Sequence, residues 1–324
     1  MKKLILVIVC AVVFCCKKNV KNTALNGSVF GTSYSIIYDS EINYQKQFDS
    51  LFYVINKSMS TYQTNSIISK INRDETVDMD VHFDNVFKAS KKIFYDTEGA
   101  FDPTIGAVVN AWDFGPEGKI LNLDSLKIDS LMTSVGFNKI LRIDNHLTKP
   151  KDAFIDFNAI AKGYGVDVVG EFMESQNIKN YLVEIGGEIR VKGINAEKQT
   201  NWKVGVENPD FNGDQSILKA ITLQDEAMAT SGTYRKFKLD ENGNRYAHII
   251  DTKTGYPSKT NLLSVSVIAE SCMIADAYAT AFKAMGIEKV KEFLERHPEL
   301  KVFLIFENDN GEFETLSLNG FPVE

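Results

Sequence analysis

Apolar residues recur along this chain with two kinds of spacing, and each predicts a different element. Short apolar runs bounded by turn residues predict strands at 28–38, 139–143, 153–157, 180–185 and 202–207. Two more strands are predicted in "LLSVSVIAE" and "KVFLIFEN" in the last hundred residues. The strands are short and look antiparallel.

Helical spacing of the apolar residues Phe48, Leu51, Phe52 and Ile55 predicts a helix early in the chain. Others are predicted over 83–96, over "DSLKIDSLMTSVG" with Gly136 as its C-cap, and over 272–285 and 287–296. Mixed helices and short strands without a regular alternation favour the α+β class over a doubly wound parallel sheet. No linker forces a division of residues 27–324, which are predicted to form one domain.

The first residues have a different composition. Lys2 and Lys3 precede an apolar run from Leu4 to Phe14, which is shorter than the roughly 20 residues of a membrane span and suits a secretory signal. A signal of 1–16 with a lipid-accepting Cys16 is predicted, with Cys15 as the less favoured acceptor and a plain secretory peptide as the alternative. Residues 17–26 are then predicted to form a tether. We expect the protein to be exported and held by a lipid anchor at the periplasmic or extracytoplasmic face of the cell membrane.

Composition narrows the partners and the redox chemistry. The net charge of −7 and the absence of a basic stripe argue against nucleic acid as the main partner. Three of the four cysteines lie in the leader, so the body has Cys272 alone and no intramolecular disulfide framework. Cys272 lies in an apolar helix and is predicted to be a packed core thiol.

The apolar segment "SCMIADAYATAF" contains a carboxylate and a hydroxyl four residues apart, Asp276 and Thr280. Positions i and i+4 share one face of a helix, so the two oxygen ligands would converge. Two hard oxygens suit Mg²⁺, which completes its shell with water and phosphate oxygens. The alternative is a buried polar pair whose hydrogen bonds go to the backbone.

A second candidate is "DFNAIAKGYGVD", in which a strand is predicted to end at Asp156 and Lys162 to begin a helix that contains Gly163 and Gly165. Free N–H groups and the helix dipole favour an anion there. The segment matches neither common phosphate-binding motif, so a solvated lysine with glycines for close packing is the alternative.

A third candidate is His248 in "HIIDTKTGYP", at a strand end beside a turn, which could act as a base or have a purely structural role.

The segments "GTSY", "MSTY", "GAFDPT", "DFNAIAKGYGVD", "VEIGG", "ATSGTY", "HIIDTKTGYP" and "ADAYATA" follow one another in this order from residue 31 to residue 281. Together they resemble the ApbE family, the FAD:protein FMN transferases. The resemblance implies a cleft between two lobes that binds FAD, with Mg²⁺ on its diphosphate. It also implies transfer of FMN to a threonine or serine hydroxyl of an acceptor protein with release of AMP. The acceptor would be a membrane or exported redox protein.

The same resemblance assigns roles to twelve residues. Mg²⁺ would be held by the side chains of Asp276 and Thr280 and by the carbonyl of Ala159, and His248 would activate the acceptor hydroxyl. The flavin nucleotide would be contacted by Phe30, Tyr62, Ala100, Phe101, Asp102, Asp156, Lys162 and Ile250.

Two departures from the family pattern concern the turn after His248. Thr252 stands where relatives often have proline, and Lys253 where they often have arginine. A third departure is Thr233 in "TSGTY", where relatives often have an acidic or amide residue. None of the three touches the implied Mg²⁺ ligands. Two other functions are compatible with the same motifs: a Mg²⁺-dependent FAD pyrophosphatase that uses water as the acceptor, and an exported lipoprotein that carries FAD without turnover.

Overall fold

The computed structural model describes residues 21–210, 216–233, 237–239 and 245–322. The predicted signal at 1–16 and the first residues of the predicted tether lie outside the described residues. No helix in the described part of the chain is long and apolar enough to cross a membrane.

The fold combines helices with antiparallel strands, which confirms the α+β class. The helices are α1 Gln45–Met59, α2 Ile67–Asn72, α3 Val81–Asp96, α4 Gly106–Ala111, α5 Ser125–Met132, α6 Ala161–Ser175, α7 Cys272–Met285 and α8 Ile287–Glu295, with a 3₁₀ turn at Phe137–Lys139. The strands are β1 Thr23–Val29, β2 Thr32–Tyr38, β3 Leu141–Ile143, β4 His146–Thr148, β5 Tyr181–Ile185, β6 Glu188–Lys192, β7 Ile194–Asn195, β8 Thr200–Glu207, β9 Ile217–Leu223, β10 Ala227–Gly232, β11 Phe237–Leu239, β12 Arg245–Ala247, β13 Leu262–Ala269, β14 Lys301–Glu307 and β15 Phe313–Leu318.

The main sheet has eight strands in the order β1-β2-β5-β6-β10-β13-β14-β15, and every neighbouring pair is antiparallel. On one face of the sheet, α6 and α7 pack against its central strands. On the other face, the small β7-β8-β9 sheet contributes Trp202 and Val204 to a core shared with Ile189 and Met228. The central strands are therefore buried on both sides, and all eight residues of β13 are buried.

Several predicted elements differ from the structure. The single strand predicted at 28–38 is split between β1 and β2 by a turn at Phe30 and Gly31. Residues 153–157 form no strand and make only one isolated parallel bridge, between Phe154 and Ile105, so Asp156 follows an irregular segment. Helix α5 ends at Met132, and Gly136 instead precedes the 3₁₀ turn with a φ of 134°. Strand β1 begins at Thr23, which places residues 23–26 of the predicted tether in the main sheet.

Candidate functional site

Two adjoining cavities open beside α6, α7 and the turn after β12. The larger has a volume of about 1080 Å³ and the smaller about 130 Å³. Both are lined by Asn158, Ala159, His248, Ile249 and Thr280, so they meet at these residues. All twelve residues named from the resemblance line one or both cavities: Phe30, Tyr62, Ala100, Phe101, Asp102, Asp156, Ala159, Lys162, His248, Ile250, Asp276 and Thr280.

Asp276 is held on the cavity wall by a contact between two helices. Its side chain comes from α7, is 6% exposed, and accepts a hydrogen bond at Oδ2 from the backbone N–H of Gly163 in α6 over 3.0 Å. A Cβ on Gly163 would lie 2.3 Å from the Cys272 carbonyl oxygen, so only glycine allows this approach. Burial raises the pKa of Asp276, while attraction to Lys162 and the bond from Gly163 oppose that effect.

The bond from Gly163 to Asp276 also changes the start of α6. In a regular helix the N–H of Gly163 would bond to the carbonyl four residues earlier, that of Ala159. Among the described residues, the Ala159 carbonyl accepts no backbone hydrogen bond. One carboxylate, one hydroxyl and one carbonyl that no described backbone N–H pairs with thus lie on the same cavity wall, and Mg²⁺ prefers oxygen donors of these kinds.

The N-terminus of α7 is fixed by a second carboxylate. Asp167 in α6 accepts hydrogen bonds from the N–H groups of Cys272 (3.0 Å) and Met273 (2.8 Å) and forms an ion pair with Arg190 at 2.9 Å. These bonds satisfy N–H groups that a helix start leaves without partners. Together with the contact at Gly163, they lock α7 against α6 and make it a rigid mount for Asp276 and Thr280. Cys272 is fully buried, and burial raises the pKa of its thiol, as expected for the core thiol predicted from the sequence.

Lys162 lies near the start of α6 and forms an ion pair with Glu188. Burial opposes a charge on Lys162, but attraction to Glu188 and Asp276 is stronger and raises its pKa. Burial also raises the pKa of Glu188, to about 7, against the attraction of Lys162. The second oxygen of Glu188, Oε2, is buried and has no hydrogen-bond partner in the described part of the chain.

Phe30 lies at the tight turn between β1 and β2 with a φ of 51°, a left-handed conformation that is rare for an aromatic residue. Its ring covers Gly165, where a Cβ would lie 2.7 Å from Cε2, and meets Phe52 edge-to-face at 5.7 Å. Tyr62 is 62% exposed at the cavity mouth, and its pKa is raised by partial burial and by the nearby charge of Asp156. These aromatic groups offer flat apolar contact surfaces to a ligand.

The residues around His248 are tied to the 99–114 segment. Thr252 donates from Oγ1 to the Gly99 carbonyl over 2.5 Å, and Trp112 donates from Nε1 to the Gly255 carbonyl over 2.9 Å. The ring of His248 meets that of Phe114 edge-to-face, with 6.2 Å between the ring centroids. Thr252, one of the departures from the family pattern, therefore supplies a side-chain hydrogen bond that a proline at this position could not make.

Asp102 is less available to a ligand than its position predicts. Its carboxylate accepts hydrogen bonds from the N–H and hydroxyl of Thr104 and from the N–H of Phe137, and burial raises its pKa. A ligand in the smaller cavity would meet the backbone of the Ala100–Asp102 segment more readily than this side chain.

Several lining residues carry no individual assignment from the sequence. Glu188 directly follows the Gly186–Gly187 turn, both of whose glycines have a positive φ. The "ATSGTY" motif places Thr230, Ser231 and Gly232 on the wall of the larger cavity. In the sequence, the glycine pair and the run of small residues indicate that a ligand could approach the backbone. They do not indicate which neighbouring side chain faces that ligand.

Within residues 21–210, 216–233, 237–239 and 245–322, no three His, Cys, Asp or Glu side chains come together as a metal site. The Mg²⁺ ligands that the resemblance implies include only one carboxylate, so they would form a site of another kind, with a hydroxyl and a carbonyl as the other ligands.

A protein-family model described as the ApbE family matches residues 30–304. That range includes every motif on which the resemblance rests. The chain belongs to the ApbE family. All twelve ApbE-derived site residues also fall within the matched range.

Curated ApbE relatives are similar over nearly their whole length. A protein of Haemophilus influenzae named FAD:protein FMN transferase is 36% identical over 324 residues, covering 94% of this chain and 92% of its own. A protein of the same name from Vibrio cholerae is 36% identical over 309 residues, covering 91% of each chain.

Solved ApbE structures share the fold. The flavin transferase ApbE of Vibrio cholerae superposes with a TM-score of 0.82 at 34% identity, covering 92% of this chain and 97% of its own. The apo form of the Pseudomonas stutzeri flavinyl transferase ApbE gives a TM-score of 0.81 at 28% identity, covering 92% and 94%.

Proposed function

We propose that this protein is a Mg²⁺-dependent FAD:protein FMN transferase, which moves FMN from FAD to a threonine or serine hydroxyl of an acceptor protein and releases AMP. The observation that carries the proposal is the joint placement of all twelve implied residues around two adjoining cavities. The names of the similar curated proteins support the same reaction.

The proposed reaction is a displacement at phosphorus. The acceptor hydroxyl oxygen forms a bond to the phosphorus of the FMN half, and the bond from that phosphorus to the bridging oxygen breaks. AMP leaves with the bridging oxygen, and the hydroxyl proton passes to a base. A free threonine hydroxyl is a weak nucleophile, so a group on the protein must accept its proton.

Asp276, Thr280 and the Ala159 carbonyl fit Mg²⁺. The only hydrogen bond to the Asp276 side chain from the described residues uses Oδ2, and the Thr280 hydroxyl has none among them. When bound, Mg²⁺ would supply charge neutralisation on the diphosphate and its leaving group. The rigid contact between α6 and α7 keeps the donors in place, and burial strengthens their electrostatic effect.

Lys162 and His248 have separate roles in this proposal. Lys162 stays charged beside Glu188 and Asp276 and binds an anionic part of the dinucleotide. His248 lines both cavities, so it can reach a hydroxyl that enters where they meet and accept its proton.

The test is a reaction of the purified protein with FAD, Mg²⁺ and membrane or exported proteins of the same cells. Intact-protein and peptide mass spectrometry should find FMN on a threonine or serine, with one AMP released per FMN attached. A parallel reaction without acceptor measures AMP release to water. If AMP is released but no protein acquires FMN, the protein is an FAD pyrophosphatase. If FAD is unchanged in both reactions, the protein carries FAD without turnover.

A lipid anchor at Cys16 is part of the same proposal, since it would place the cavities near membrane acceptors. It rests on the apolar run and cysteines of the leader. Membrane fractionation of Cys16→Ala and Cys15→Ala tests it: only Cys16→Ala should release the protein from the membrane. Retention of both variants would contradict an anchor at Cys16.

A further inference from the structure

Strand β10 has one complete neighbour and one incomplete neighbour. It pairs with β13 along its whole length, from Ala227 opposite Ala269 to Gly232 opposite Ser264. On its other side it pairs with β6 only at Ala227 and Met228, because β6 begins at Glu188 after the glycine turn. The second half of β10 therefore has an open edge inside the main sheet.

The register shows which backbone groups face this open edge. The N–H of Thr233 donates to the carbonyl of Leu263 in the extension of the β10-β13 ladder, so residues at odd positions in β10 point toward β13. On the other side, the N–H of Val191 donates to the carbonyl of Glu226, so residues at even positions point toward β6. Thr230 and Gly232 thus direct their N–H and C=O groups to the open edge, where no described residue bonds to them.

The open edge lies in the wall of the larger cavity. Thr230, Ser231 and Gly232 line this cavity together with Asp276 and His248. None of the residues assigned to the flavin nucleotide lies in β10, so those assignments leave the edge unclaimed. Helix α7 packs directly on β10, which connects the edge to the proposed Mg²⁺ ligands.

We propose that the open edge of β10, at Thr230 and Gly232, binds the threonine- or serine-bearing segment of the acceptor protein as an added extended strand. This inference rests on the proposed function, because it assigns a binding surface to the second substrate of that reaction. The backbone groups of Thr230 and Gly232 that face the open edge are two residues apart along β10. They are therefore spaced by about 6.8 Å, which is also the spacing of alternate residues in an extended peptide. Each offers one donor and one acceptor, the complement of a polypeptide backbone, and strand addition of this kind is a common way to bind peptides.

Strand addition would also determine which side chain reaches the reaction centre. Successive side chains of an extended segment point to opposite faces of the sheet. Pairing to β10 therefore fixes both the depth and the facing of the acceptor residue, and only one register presents its hydroxyl toward the Asp276 wall. Main-chain pairing further allows acceptors with different flanking sequences to bind the same edge.

The test uses nine-residue peptides centred on the threonine or serine that acquires FMN in the transfer assay. Each backbone amide within two residues of the acceptor is methylated in turn, and the peptide KM is measured at saturating FAD and Mg²⁺. Methylation at alternate positions should raise KM at least about fivefold, since it removes one backbone hydrogen bond, and the amides between them should tolerate it. The intervening positions serve as matched controls.

A second measurement uses the protein. Thr230→Pro removes the N–H that faces the open edge, a site where proline breaks no ladder bond. Its control is Thr230→Val, which keeps that N–H and, like proline, loses the 2.8 Å hydroxyl contact with Ser266. Thr230→Pro should raise the acceptor KM at least about fivefold above that of Thr230→Val. The FAD dissociation constants of the two variants show whether the cavity is intact.

If Thr230→Pro does not fold, hydrogen exchange at the amides of Thr230 and Gly232 shows which substrate, the acceptor or FAD, covers the open edge. Protection that requires the acceptor supports the inference. Protection by FAD and Mg²⁺ alone would overturn it, as would equal sensitivity to methylation at neighbouring peptide positions. A lack of any labelled acceptor would overturn the transferase proposal itself, which the transfer assay reports separately.

Discussion

Lys283 is a buried lysine whose cost to stability can be worked out from its surroundings. It follows Thr280 by one turn of α7, is 1% exposed, and donates from Nζ to Thr260 Oγ1 over 3.1 Å. No carboxylate pairs with it among the described residues. Burial lowers its pKa from 10.5 to about 8.

At pH 7 this lowered pKa corresponds to roughly 3 kcal/mol of lost unfolding free energy, at about 1.4 kcal/mol per pKa unit. Methionine has a similar length and no charge, so Lys283→Met should remove the penalty. Loss of the hydrogen bond to Thr260 costs about 1 kcal/mol, so the net gain in unfolding free energy is about 2 kcal/mol. The melting temperature should rise by roughly 3 °C, because an unfolding entropy of about 2.1 cal/mol/K per residue corresponds to about 1.5 °C per kcal/mol for a chain of 324 residues.

The sign with pH follows from proton binding. Between pH 8 and pH 10.5 the unfolded chain holds a proton on Lys283 that the folded protein has released, so wild-type stability gains from this site as pH rises through that window. The advantage of Lys283→Met should therefore shrink from pH 8 to pH 10.5. Urea unfolding across this range measures it, and Lys289→Met, at an exposed lysine of α8, is the control. A destabilised variant, or an advantage that does not change with pH, would refute the reasoning.

Three further changes test the site. Asp276→Asn keeps an oxygen for the Gly163 N–H but removes the charge, and Mg²⁺-dependent AMP release should fall at least about 100-fold in a coupled assay. His248→Ala should lower kcat by about 10²–10⁴-fold while fluorescence titration shows FAD still bound. Gly163→Ala forces a Cβ against the Cys272 carbonyl and should cost about 1–3 kcal/mol in unfolding free energy.

Each of these changes has a result that would contradict it, and Asp276→Asn also has a matched control. For Asp276→Asn the control is Asp129→Asn in α5, and wild-type turnover at limiting Mg²⁺ would contradict the metal assignment. For His248→Ala, a wild-type rate at saturating acceptor would exclude it as the base. For Gly163→Ala, at a position inside α6 where alanine itself causes no backbone strain, an unchanged unfolding free energy would show that the helix contact does not require glycine.

Local patterns predicted the elements that carry the site. The spacing of Asp276 and Thr280 gave their common position on the cavity wall, and the apolar runs of β13 and β14 were read correctly because both strands are buried on two sides. The predicted strand at 153–157 was wrong because its apolar residues pack without a continuous partner strand. Hydrophobicity shows burial, but it does not show whether a neighbouring backbone is available for pairing.

Non-local contacts explain the features that the sequence did not predict. The Ala159 carbonyl has no backbone partner among the described residues because Gly163 bonds to Asp276, which lies 113 residues away. The open edge of β10 depends on where β6 begins, and burial of Lys283 depends on the packing around Thr260. Residue type alone predicts something else, because a lysine is usually solvated and a central strand is usually paired on both sides.

A crystal structure of the protein with FAD and Mg²⁺ tests the central claim most directly. The account predicts an ion bound by the Asp276 carboxylate, the Thr280 hydroxyl and the Ala159 carbonyl, in contact with the diphosphate of FAD. A dinucleotide bound elsewhere, or a diphosphate in these cavities with the ion held by other residues, would contradict it.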